Sequence, residues 1–176
     1  MSQKTPLITD LVQIKRQGDQ LRGENARLRQ HLKRHVFVER KLKAIAQEIE
    51  EEIDCLQCAN CCRVATAKLV ERDIERVAKA AGMKVPQFLR DCTERSVEEG
   101  LILKRTDEKG CVFLNGNECL VYDGRPSSCQ DFPHMVRGPG SLMHRMWAMP
   151  DRASYCPITY NTLEAWKDEV DFQRGL

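Results

Sequence analysis

The stretch CLQCANCC, Cys55 to Cys62, places four thiols within eight residues. Cys55, Cys58 and Cys61 recur at every third residue, so three thiolates can converge on one centre. Backbone N–H groups in so tight a loop can also point at bound sulfur. The same spacing opens the bacterial ferredoxin run for a four-iron cluster, whose fourth cysteine precedes a proline. Here Cys62 follows at once, and a Cys-Pro pair comes much later, at Cys156-Pro157. Successive side chains of an extended chain point apart, so Cys61 and Cys62 reach different centres more easily than the same one.

Cys111, Cys119, Cys129 and Cys156 bring the set to eight candidate ligands, enough for two four-ligand centres. The expected partition is Cys55, Cys58, Cys61 and Cys156 for one, and Cys62, Cys111, Cys119 and Cys129 for the other, with Cys129 and Cys156 free to exchange. His134 and His144 are possible substitute ligands, although a lone histidine near a loop is more often a surface residue. Cys92, in FLRDCTE, lies away from the clusters and reads as a packing cysteine. The N-terminal segment lacks an apolar stretch of signal-peptide length, and no run of about 18 apolar residues occurs. The expected compartment is therefore the cytoplasm, with no membrane partner, where thiols stay reduced. Nine cysteines there read as metal ligands or redox groups before disulfides.

Upstream, a heptad row of Leu7, Ile14, Leu21, Leu28, His35, Leu42 and Ile49 is joined by a mixed row of Leu11, Gly18, Asn25, Leu32, Glu39, Ala46 and Ile53. With no proline after Pro6, this predicts one long amphipathic helix over 1–52. Asn25 could fix the register of a two-stranded coil, while Gly18, His35 and Glu39 weaken the seam. The expectation is a homo-oligomer or a partner protein joined through this helix. The alternative is a stripe packed back on the chain's own C-terminal part. Ten Lys and Arg stand against three acids between Lys15 and Lys43. Such a helix can track phosphates, but it is more often a solvated face, so nucleic acid is possible without being favoured. The whole-chain formal charge of +2 makes no case for it.

Beyond the cluster, Val70, Ile74, Val77 and Ala81 mark a helix closed by Gly82. VPQFLRDCTERSVEEG predicts a second, with Pro86 in its first turn. LILKRT and CVFL-NGNE-CLVY predict short strands, the last two joined at Asn115-Gly116 with Cys111 and Cys119 near the open end. PITYNTLEAWKDEVDF predicts a closing helix resting on Leu163 and Trp166. Aromatics at 6% and charged residues at 31% argue for a modest core. The fold class expected is α+β: a small cysteine-rich domain over 53–176, with helices and a short β-hairpin, behind the long helix.

CLQCANCC, CVFLNGNECLVYDGRPSSCQDFP and the late Cys-Pro together resemble the CxxCxxCC family of zinc- or iron-chelating domains, also called YkgJ-like cysteine-cluster proteins. The resemblance covers roughly 53–160. The family's Y-x-x-RP-x-x-C-x-x-FP pattern is carried by Tyr122, Arg125, Pro126, Cys129, Phe132 and Pro133. Gln130 stands where arginine is commoner, and His134 where an apolar residue is more usual. The resemblance implies a metal-binding domain holding zinc or an iron–sulfur cluster. Three cysteines in one loop with a remote fourth favour a 4Fe-4S cluster, with zinc the alternative. Arg125 would offset thiolate charge, Tyr122, Phe132 and Pro133 would exclude water, and Pro126 and Pro133 would stiffen the Cys129 loop.

Two function classes follow. In one the centre is structural and the chain is an interaction or assembly protein. In the other the cluster is a redox-active electron carrier or sensor. Enzyme activity is not favoured: a hydrolytic zinc site needs an open coordination position, and an all-thiolate site tends to be closed.

Overall fold

The computed structural model describes residues 6–34 and 38–173. The chain forms two units. Met1–Asp54 and Pro133–Leu176 make the first, and Cys55–Phe132 makes the second. The first unit boundary lies between Asp54 and Cys55. Pro133–Leu176, expected with the cysteine-rich part, groups with the N-terminal helices, as in the alternative of a stripe packed back on the chain's own C-terminal part.

In the first unit, α1 (Leu11–Gln20) starts at Asp10, whose carboxylate accepts the Gln13 N–H at 2.7 Å. α2 (Arg22–Arg34) and α3 (Glu39–Glu52) follow. The expected single helix is therefore broken, and His35 of the heptad row lies outside the described residues. A straight helix would hold Ile14 and Ala46 about 48 Å apart. Here Ile14, Leu28, Leu32, Leu42 and Ala46 share one apolar cluster with Leu163 and Trp166. Burial of the stripe in a compact core displaces the extended rod. The seam that would have faced a second copy is used within the unit.

The centre of this unit is α11 (Pro157–Glu169), which packs on α3 and on α1 and is buried along most of its length. Its Leu163 and Trp166 are core residues, as its sequence suggested. The Asn161 side chain pairs with both backbone groups of Ile8, accepting its N–H at 2.9 Å and donating to its carbonyl at 2.8 Å. Fully buried Lys167 donates to Glu24 and Glu164, each at 2.6 Å. Short turns α9 (Leu142–Arg145), a 3₁₀ turn (Met146–Ala148) and α10 (Met149–Arg152) complete the unit. Buried Arg145 gathers the loop before α9 by donating to the carbonyls of His134, Gly138, Pro139 and Gly140.

The second unit carries α4 (Cys55–Cys58), α5 (Asn60–Val64), α6 (Glu71–Ala80), α7 (Val85–Cys92) and α8 (Ser127–Gln130). Three antiparallel pairs lie between α7 and α8: β1 (Thr93–Ser96) with β2 (Gly100–Leu103), β3 (Arg105–Thr106) with β4 (Gly110–Cys111), and β5 (Leu114–Asn115) with β6 (Glu118–Cys119). The mixture of helices and short strand pairs agrees with the α+β expectation. Two details differ. The helix expected to run on through TERS stops at Cys92, where Thr93 turns its hydroxyl back to the Leu89 carbonyl at 2.6 Å and starts β1 opposite Leu103. The last hairpin turns at Gly116-Asn117, one residue later than expected, because Asn115 pairs with Glu118. Leu69, Val77, Phe88, Leu103, Phe113 and Val121 build the core, with Phe88 and Phe113 stacked at 6.3 Å. Cys92 packs there, its thiol directed at the Met83 sulfur 3.7 Å away.

Gly18 occupies a heptad position that looked like a defect of the seam. It is a close approach instead: a Cβ there would lie 2.4 Å from Ser154 Cα and 2.5 Å from the Ala153 carbonyl oxygen. Gly18→Ala should destabilise the first unit by about 2 kcal/mol or more, since backbone must move. Chemical denaturation followed by Trp166 fluorescence measures this, and a change under about 0.5 kcal/mol would refute the close packing.

Candidate metal centre

The cysteine-rich run folds as two short helical turns separated by Ala59. Ala59 is buried and left-handed, with φ 44°. That reversal swings α5 away from α4, so Cys55 and Cys58 ride one turn and Cys61 and Cys62 the next. A β-branched residue would strain such a position. Arg63 fixes the arrangement from outside. It donates to the Cys58 carbonyl at 3.1 Å, to the Gly116 carbonyl at 3.0 Å and to the Asn117 side chain. Asn117 in turn donates to the Gln57 carbonyl at 2.7 Å. The turn of the last hairpin is thereby clamped onto the helical turns.

The other thiols are brought in by backbone contact. Gly110, with φ 75°, lets β4 lie directly on α5: a Cβ would be 2.7 Å from both the Cys62 carbonyl oxygen and Arg63 Cα. Cys111 and Cys119 occupy equivalent places in successive tight turns. The backbone of Phe113 favours the Cys111 thiolate, and that of Val121 favours the Cys119 thiolate, each two residues ahead. Cys129 lies on α8 beside Ser128, whose hydroxyl donates to the Lys68 carbonyl at 2.7 Å, and Cys62 is hydrogen-bonded to Cys61.

These four thiols, from α5, β4, β6 and α8, lie close enough to act on one another's charge. Burial pushes Cys129 up to about 12, with Cys111, Cys62 and Cys119 adding to it. Burial likewise raises Cys111 to about 11 and raises Cys119. Cys62 goes the other way, to about 7. Its hydrogen bond with Cys61 leads, and the guanidinium groups of Arg63 and Arg125 add to it against the cost of burial.

Arg125 therefore has the neighbours its place in the sequence suggested. Its guanidinium lies 3.8 Å from the centre of the Tyr122 ring and favours the thiolates of Cys62 and Cys119. Among the described residues it forms no ion pair with Asp123 or Asp131. Tyr122 is 42% exposed and serves as a platform for Arg125 more than as a seal. Pro126 is buried ahead of α8, Phe132 is half-buried at the end of the unit, and Pro133 belongs to the other unit. Gln130 donates to the Arg125 carbonyl at 3.0 Å.

One important residue carries no signal in the sequence. Asp73, on α6, is completely buried. It accepts the Ser127 hydroxyl at 2.7 Å, the Ser127 N–H at 3.2 Å, the Arg76 guanidinium at 2.6 Å and the Val70 N–H at 3.1 Å. Arg76 also donates to the Arg125 carbonyl at 3.0 Å. Asp73 thus ties the segment bearing Arg125 and Cys129 to α6. An acid in a helix first turn normally reads as a response to the helix dipole, and only the fold brings Ser127 to it.

Of the remaining candidates, Cys55 is exposed, and Cys58 and Cys61 are half-buried on the same unit. Cys156 is buried at the start of α11 and belongs to the first unit, as do His134 and exposed His144. Among the described residues, no three His, Cys, Asp or Glu side chains are placed to hold a single metal ion. The thiols are neighbours without a common point. Their donor chemistry suits a thiophilic metal or an iron–sulfur cluster.

The profile of one protein family, described as "CxxCxxCC: Putative zinc- or iron-chelating domain", matches residues 54–157, more than half of the chain. The chain belongs to the CxxCxxCC family. The matched span contains all eight candidate cysteines, and the family description supports binding of a metal, zinc or iron, in general terms. No curated protein and no solved structure matches the chain. Among the described residues no helix is long and apolar enough to cross a membrane.

Asp73→Ala should cost about 3 kcal/mol, because it leaves buried donors and the Arg76 charge unmatched. It should also lower metal content, since the Cys129 segment loses its anchor. Elemental analysis alongside a denaturation curve checks both. Full metal content in the variant would show that Asp73 supports α6 alone.

Proposed function

We propose that the second unit holds a metal centre on Cys62, Cys111, Cys119 and Cys129, and that this centre is an iron–sulfur cluster, 4Fe-4S, acting as the clasp of an interaction protein. The observation that carries the reading is that four separate elements bring these thiols close enough to act on one another's charge, with the guanidinium groups of Arg63, Arg105 and Arg125 acting on them. Hydrogen bonds to sulfur and nearby cations favour the thiolate, which is the form that ligates. A zinc ion requires its sulfurs about 2.3 Å from one point. A cluster offers a separate iron to each thiolate, so neighbouring thiols that do not converge suit it better. Zinc is the second choice.

Bound in this way, the group would join α5, two hairpins and α8, whose shared apolar core is small. The chain's own residues supply the rest. Arg63 and Arg125 balance thiolate charge, the backbone at Phe113 and Val121 favours two of the thiolates, and Asp73 holds the fourth ligand's segment. Cys55, Cys58 and Cys61 are three further thiols for a second centre, which would need a fourth ligand from outside α4 and α5. A redox role is the alternative to the clasp. It is favoured by the exposure of Cys55, which would bring such a second centre near solvent.

The deciding experiment is metal and acid-labile sulfide analysis, with an absorption spectrum, on protein purified without oxygen. Iron and sulfide at about four each per centre, with a broad band near ~400 nm, is the expected result. Zinc without sulfide would replace the cluster by a zinc clasp, and protein free of both would end the reading. A reversible reduction within the cellular range would favour the redox alternative.

The sign of the pH dependence also follows. In the metal-free protein Cys111, Cys119 and Cys129 are raised and carry protons at pH ~7.5, while Cys62, lowered to about 7, is largely ionised. Ligation by thiolates must therefore expel about three protons. Between pH ~7 and ~9 the logarithm of metal affinity should rise by about three per pH unit, measured by competition with a chelator. A flat profile would mean that these four thiols are not the ligands.

A further inference from the structure

The basic character noted along the N-terminal helix is not spread evenly once the chain is folded. On α2 the buried side is Asn25, Leu28 and Leu32, and Glu24 is turned to buried Lys167. Its exposed residues are Arg22, Gly23, Ala26, Arg27, Gln30, Lys33 and Arg34. Arg22 is paired with Asp19 and Asp151, which leaves three cations and no acid on the rest of the face. Among the described residues no ion pair is formed by Arg27, Lys33 or Arg34, nor by Arg16, Arg29 or Arg40 of the same segment, while Lys15, Arg22, Lys41 and Lys43 are paired. Arg27 and Arg34 are seven residues apart, so they lie on one side of the helix with about 10 Å between them along the axis.

A second feature lies beside it. The 3₁₀ turn Met146–Ala148 packs against α2, and its Trp147 is 69% exposed. A tryptophan left in water next to an unpaired cationic helix is a combination that an inert solvated face does not need. We propose that the exposed face of α2, with Trp147, is a binding surface for single-stranded nucleic acid. Arg27, Lys33 and Arg34 contact consecutive backbone phosphates, Gln30 adds a neutral donor, and Trp147 stacks on an unpaired base. Gly23 and Ala26 leave room for the strand to lie close to the helix. A duplex keeps its base faces stacked inside and gives Trp147 nothing to cover. A membrane-lying helix needs its apolar stripe free for lipid. Here Leu28 and Leu32 are spent in the core.

The test uses the full chain with its metal, purified without oxygen. Labelled single-stranded RNA and DNA of about 20 nucleotides are titrated by fluorescence anisotropy from ~50 to ~200 mM salt, beside a duplex and anionic lipid vesicles. Single strands should bind more tightly than duplex, and affinity should fall with salt. Combined charge reversal (R27E, K33E and R34E) should weaken binding more than ~10-fold and reduce the log–log salt slope by about 2. Trp147→Ala should weaken it by about 5- to 100-fold with the slope unchanged, and should abolish the quenching of indole emission on binding. The substituted side chains are exposed, so thermal unfolding of both variants should match the parent. No binding at ~50 mM salt, variants that bind like the parent, preference for duplex, or binding to vesicles alone would each overturn the proposal.

Discussion

Several half-buried thiols close enough to feel one another's charge are the constraint on which the second unit depends. Thiolates there meet two penalties, loss of water and mutual repulsion, and both are visible in how far Cys111 and Cys129 are pushed up. The surrounding structure works against those penalties at short range. The backbone at Phe113 and Val121 and the Cys61 thiol favour the thiolates, and Arg63, Arg105 and Arg125 supply positive charge. Cys62 alone gains enough from these partners to fall to about 7. The imbalance left at the other three is what a bound cation or cluster would remove.

Arg63 shows how closely folding and chemistry are joined. The same guanidinium that lowers Cys62 also clamps the Gly116-Asn117 turn and the end of α4. Arg125 is held in the same double way. Its carbonyl accepts from Arg76 and Gln130, while its guanidinium rests on Tyr122. Charge near the thiols is therefore fixed by backbone contacts that span far-apart stretches of chain. That fixing is what distinguishes a built site from a cysteine-rich loop.

The first unit answers a different problem, how to bury a heptad stripe without a partner chain. Breaking the rod after α2 lets the stripe collect around α11 in one cluster. The close contact at Gly18 and the Lys167 ion pairs depend on that packing. Internal use of the apolar face leaves α2 with an exterior of cations, Gln30 and the small residues Gly23 and Ala26.

The candidate cysteines were legible in the sequence because cysteine chemistry acts through residue type and spacing. The C-x2-C-x2-C-C run and the hairpin cysteines are matters of short-range order. Only the fold brings Cys62, Cys111, Cys119, Cys129 and Arg125 within reach of one another's charge. The last hairpin was also near its expected place, since the turn near Gly116 acts locally, whereas the pairing of β1 with β2 replaced an expected helical stretch. What the sequence could not supply are contacts made at a distance. Asp73 is an ordinary first-turn acid until folding sets Ser127 beside it. Gly18 is a flaw in a coil until α10 packs on it, and the heptad row is compatible with a second chain or with the same chain folded back. A repeating pattern states that a stripe must be buried. The partner that buries it is chosen by tertiary packing, because the hydrophobic effect rewards removal of apolar area from water whatever surface covers it.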